Sequence, residues 1–153
     1  MTCMRKLIAL DEDDLAVISA HVQDASVHVA DILWRPGEHR LVIGMKRLDW
    51  DQVLSGQLKA RRLVTALRFD RVLACQARKM SLEDLTELEL MGLEFHPGKA
   101  PGGCVVLMFE GGAALRLDVE CIECELADFT ECTAGEGADL ASTPAGDAAK
   151  GAA

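Results

Sequence analysis

Residues 104 to 126 read C-V-V-L-M-F-E-G-G-A-A-L-R-L-D-V-E-C-I-E-C-E-L. Leu115, Leu117, Val119 and Cys121 alternate with Arg116, Asp118 and Glu120. A period of two is that of a strand with one buried face and one wet face. The apolar run before Gly111-Gly112 supplies the other arm of a β-hairpin. A Gly-Gly pair suits a two-residue turn, because both central positions then take positive φ. The apolar parity flips at Cys121-Ile122, where a bulge would turn Cys121, Ile122, Cys124 and Leu126 all inward.

The same alternation extends upstream. Glu87 to Phe95 reads as a strand whose phase slips at Leu90-Met91, joined to the hairpin by a flexible, Gly- and Pro-rich link from Pro97 to Gly103. Lys79 to Leu85 reads as a loop, and Val72 to Ala77 as a strand. Arg62 to Asp70 alternates with Leu63, Leu67 and Phe69 inward. His39 to Leu48 carries Leu41, Ile43 and Met45 on one side and Arg40, Val42, Gly44 and Lys46 on the other. Ser26 to Trp34 reads as one strand with a bulge near Ala30-Asp31, and Arg35 to Glu38 as a turn. Asp11 is an N-cap residue followed by Glu12, Asp13 and Asp14, and Leu15, Ile18 and Val22 follow at helical spacing. This predicts a helix over 12–23, after a short strand over 6–10. His21 falls in its last turn, where a cation is favoured.

These elements predict one α+β domain over 1–132, with one N-terminal helix and seven or eight strands. The strands are expected in a mostly antiparallel sheet or a barrel-like roll. Residues 133–153 hold Leu140 as their one large apolar residue and are expected to be a disordered low-complexity tail.

Composition narrows the partners. The net charge of −9 disfavours nucleic acid and anionic membrane surfaces. With no apolar run long enough to span a bilayer and no signal-peptide pattern, a cytoplasmic setting is expected. The charge is uneven: Lys59, Arg61, Arg62, Arg68, Arg71, Arg78 and Lys79 face one acid, Asp70, between residues 59 and 79. From residue 80 onward the chain is strongly acidic. That asymmetry fits an anion site, a self-complementary surface, or a basic strand lying beside acidic strands in one sheet.

K-L-I-A-L-D-E-D-D-L-A-V-I-S-A-H-V-Q-D-A at 6–25, R-L-D-W at 47–50, A-L-R-F-D-R-V at 66–72 and G-G-A-A-L-R-L-D-V-E-C-I-E at 111–123 resemble a family of small bacterial proteins known only as a domain of unknown function. The resemblance covers roughly residues 5 to 130. It implies a cytoplasmic housekeeping setting and brings no activity, cofactor or catalytic residue.

The remaining chemistry is sparse. Cys121 and Cys124 have the C-x-x-C spacing of a zinc half-site, but no second half-site exists, so both are expected as buried core thiols without metal. His21, His28, His39 and His96 lie in no catalytic motif. Asp118 and Glu120 are explained by the wet face of their strand. Neither Gly102-Gly103 nor Gly111-Gly112 opens a helix, so neither is a phosphate cradle. Trp34 is expected in the core, and Trp50 is a candidate partner anchor. No catalytic constellation and no cofactor emerge. The leading reading is a non-enzymatic binding or adaptor domain that associates with itself or with a protein partner. The alternative is an enzyme or small-ligand protein that holds an anion through the basic segment, using Arg61, Arg62 and Arg68.

Overall fold

A computed structural model describes residues 5–50, 62–81 and 86–132; for 130–132 it describes the strand but not the side chains. The capping pattern at the start works as read. Asp11 Oδ1 accepts the Asp14 N–H at 2.8 Å, and helix α1 runs Glu12–His21. The negative first turn suits the positive end of the helix dipole. Leu15, Ile18 and Val22 form its buried stripe.

Ten strands follow the alternating patterns: β1 (Arg5–Ala9), β2 (Ala25–His28), β3 (Ile32–Arg35), β4 (Arg40–Leu48), β5 (Arg62–Phe69), β6 (Val72–Arg78), β7 (Glu87–Pro97), β8 (Gly103–Phe109), β9 (Ala114–Val119) and β10 (Cys124–Cys132). They form one antiparallel sheet in the order β1-β10-β5-β4-β2-β7-β8-β9-β6, with β3 also on β4. The architecture is α+β with an open sheet rather than a closed barrel. The sheet curls: the Val72 N–H of its last strand donates to the His39 carbonyl beside β4. The inner face therefore encloses a single core, to which the helix and every strand except β3 and β6 contribute several buried side chains or Ala9; β3 adds Ile32 and β6 adds Val72.

The strand count of seven or eight was low for two reasons. Ser26 to Trp34 is broken by a 3-10 turn at Val29–Asp31, so it serves β2 and β3 separately. The stretch after Val119 is no single bulge either: residues 120–123 carry the chain from one half of the sheet to the other before β10 begins. Cys124 is buried there as expected, whereas Cys121 sits in the connection and is only half-buried. The slip at Leu90-Met91 is a real register shift between Leu90 and Gly92. It brings the backbone close to α1, where Ser19 Oγ accepts the Leu93 N–H at 2.9 Å.

The hairpin that decided the fold is present. Gly111 and Gly112 both have positive φ, 77° and 86°. The connection is one residue longer than a two-residue turn: Phe109 N–H donates to the Ala113 carbonyl at 2.8 Å across Glu110–Gly112. Pro97 to Gly103 is itself a hydrogen-bonded turn, closed by Gly98 N–H to Gly102 O at 3.1 Å. Leu63, Leu67 and Phe69 are buried as the alternation required. Trp34 is only partly buried, packed against the core. Residues 133–153 lie outside the described residues.

Candidate functional site

Alternation places every second residue of β6, β7, β8 and β9 on the outer face of the sheet. The register aligns them into rows. Cys104 of β8 stands directly opposite His96 of β7 on one side and Asp118 of β9 on the other. One row along, Val106 lies between Glu94 and Arg116, and Arg116 pairs with Gln76 of β6. In the next row Ala114 pairs with Arg78. Directly opposed residues have Cβ atoms about 4.5–5.5 Å apart, so these side chains meet.

The small residues Cys104, Val106 and Ala114 leave the middle of this face low, and the long side chains of the flanking strands stand around it. The result is a hollow of about 550 Å³ lined by Gln76, Ala77, Arg78, His96, Cys104, Val106, Ala114 and Arg116. No carboxylate among the described residues lines it. A second hollow of about 640 Å³ adjoins it along the Pro97 to Gly103 turn, sharing His96, Cys104 and Arg116, and includes Asp118 and Glu120. Gly103 is required at their junction, since a Cβ there would sit 2.5 Å from the His96 carbonyl and 2.7 Å from the Phe95 ring.

The charges of the site are lightly held. Arg116 Nε is 3.3 Å from Asp118 Oδ1, with both side chains substantially exposed. His96 Nε2 is 3.2 Å from Glu94 Oε1. Arg78 is exposed and makes no ion pair among the described residues. Cys104 is 9% exposed, and burial pushes its thiol up, against the opposing pull of Arg116. Burial thus favours the thiol over the thiolate there. Burial likewise raises the thiols of Cys75 and Cys124. Among the described residues, no group of three His, Cys, Asp or Glu side chains could hold a metal ion.

The residues singled out in the sequence are dispersed. Arg61 lies outside the described residues. Arg62 and Arg68 share the outer face of β5 but stand six residues apart, about 20 Å at the strand rise. Arg68 is engaged by Asp70 at 2.9 Å and by Glu125 at 2.8 Å, the latter on neighbouring β10. This is the basic-strand-beside-acidic-strand arrangement. Trp50 lies near the Arg62 end and donates its indole N–H to the Gln23 carbonyl at 3.2 Å. Of the described residues in the basic segment, Gln76, Ala77 and Arg78 reach the hollow. His21 Nδ1 lies 2.9 Å from the Val17 carbonyl in the last helical turn, and His39 Nδ1 lies 3.2 Å from the Val72 carbonyl. His28 faces Glu87 at 3.5 Å at the surface.

A second polar cluster is wholly internal. Arg47 and Asp128 are both 0% exposed and paired through two hydrogen bonds of 2.9 and 2.6 Å. Thr65 Oγ1 donates to Asp128 Oδ1 at 2.7 Å, and Arg47 also donates to the Leu48 carbonyl at 2.9 Å. This ties β4, β5 and β10 together and has no access to ligand. Its signal was in the sequence: Arg47 continues the inward parity of Leu41, Ile43 and Met45, Thr65 that of Leu63 and Leu67, and Asp128 that of Leu126.

No curated protein and no solved structure matches the chain. A family model does match, over residues 5–139, so the chain belongs to the family described as protein of unknown function DUF2948.

Proposed function

We propose that this chain is a non-enzymatic binding domain that holds a small organic anion, bearing a carboxylate or phosphate, in the hollow over β6, β9, β8 and β7. The supporting observation is the hollow's lining: two arginines and a histidine, with no carboxylate among the described residues, on a chain of net charge −9. A guanidinium presents a planar fork of donors that matches a carboxylate or phosphate through two parallel hydrogen bonds. A local positive hollow on an acidic protein also concentrates anions from solution. Val106, Ala114 and the neutral Cys104 give the floor an apolar patch for the ligand's carbon skeleton. A volume of about 550 Å³ lies within the range of small-molecule sites. Of the described basic residues in segment 59–79, Arg78 lines this hollow.

The test uses inorganic phosphate and succinate as probes. Either should raise the melting temperature and shift the backbone amide signals of β8 and β9, and the Arg78→Gln, Arg116→Gln double variant should lose both effects while keeping its fold. A parent protein that responds to neither probe overturns the reading. A second reading, a thiol nucleophile, is favoured by one observation: His96 lies directly across from Cys104. Alkylation of Cys104 by iodoacetamide at neutral pH, faster than that of an unstructured thiol, would support it over simple binding.

A further inference from the structure

β6 is the last strand of the sheet and pairs with β9 alone. At its start, Val72 N–H donates to the His39 carbonyl at 3.0 Å, which closes that end of the outer edge. From Leu73 to Arg78 no described strand pairs with that edge, so backbone N–H and C=O groups face outward. Natural proteins blunt such edges with mid-strand charges, proline, or a covering element. Here residues 72–77, V-L-A-C-Q-A, carry no charge, no proline and no glycine, and Leu73 is 53% exposed. The one irregularity against β9 lies between Val72 and Ala74, which leaves the rest of the strand regular.

The charges sit at the two ends and differ in sign. At the start, Arg71 lies 3.8 Å from Glu120 and 3.6 Å from Glu123, a cluster of one cation and two acids. At the finish stand Arg78 and Lys79, neither in an ion pair among the described residues.

We propose that a second copy of this chain covers the edge, β6 of one protomer pairing antiparallel with β6 of its partner about a two-fold axis near Cys75. In that register Arg78 faces Val72, and Lys79 faces Arg71. The basic end of each strand then meets the acidic end of the other, twice over, as an isologous interface requires. The uncharged centre of each strand meets the other's, and the two open sheets become one. This rests on the edge and its charges, independently of what the hollow binds.

The mass of the full chain in solution, measured by light scattering and sedimentation over a wide range of concentration, tests this. We expect twice the chain mass of 16.5 kDa. Leu73→Lys changes an exposed side chain and should keep the far-ultraviolet circular dichroism spectrum, yet raise the dimer dissociation constant by more than about tenfold. Arg78→Glu with Lys79→Glu should give a monomer, and adding Glu120→Lys with Glu123→Lys should restore the dimer. A parent that is monomeric at every concentration overturns the proposal. So does a dimer that is indifferent to both Leu73→Lys and the charge reversal.

Discussion

The two halves of the sheet's outer face use their charges differently. Over β1, β10, β5 and β4, Lys6 pairs with Glu125 at 3.3 Å, and Arg68 bridges Glu125 and Asp70. Arg40 reaches Asp70 at 2.8 Å, and that hydrogen bond, with the attraction behind it, raises the guanidinium pKa. Both acids are only 15% exposed, so each cation lies against a partner that is largely shielded from water. Over β7, β8, β9 and β6 both partners of each pair are well exposed, and Arg78 has no ion pair among the described residues. A run of basic residues in sequence is therefore not a patch of available charge. Within the basic segment, Arg68 of β5 is neutralised by Asp70 and Glu125, while Arg78 of β6 remains open to solvent.

The largest effect should come from the core beneath the open half. Leu117 is 0% exposed, and Leu117→Asp should unfold the domain, because a buried unpaired carboxylate costs several kcal/mol against a total stability of about 5–15 kcal/mol. A circular dichroism melt resembling the parent's would put this strand's register in error. Next in size is the buried pair. Asp128→Ala strands the Arg47 charge and should cost about 3–5 kcal/mol, whereas Arg47→Met with Asp128→Leu should come out near the parent or above it. Denaturant titration of both variants measures the contrast. If the double variant is as damaged as the single one, the network does more than hold its own charges.

Smaller effects separate the two halves. Arg68→Gln removes exposed ion pairs from the closed half and should cost about 0–1 kcal/mol, with the loss shrinking as salt is added. Its affinity for phosphate should match the parent's; a marked loss would move the anion site to β5. Arg116→Gln should change stability by less than about 0.5 kcal/mol, as surface substitutions usually do, yet weaken phosphate binding clearly in a calorimetric titration. Asp118→Asn is the complement. It should leave the melt unchanged and tighten phosphate binding, because it releases Arg116 from its nearest carboxylate.

The sequence by itself determined the elements. Alternation placed Leu41, Ile43, Met45, Leu63, Leu67, Leu115 and Leu117 inside, and every one is buried. The acidic cap set the start of α1, and the glycine pair set the hairpin, because capping and positive φ are local properties of a few neighbouring residues. The same parity also marked Arg47, Thr65 and Asp128 as inward, a signal easily passed over because charged residues are rarely buried unless paired. Only the tertiary structure showed that these three are partners, since they stand on three different strands. It alone decided the strand order too, which sets Arg68 beside Glu125 and Arg78 beside the uncharged Ala114. Each strand carries its inside and outside in its own sequence. Which strand lies next to it depends on pairing between residues far apart in the chain, and the hollow and the open edge are both products of that pairing.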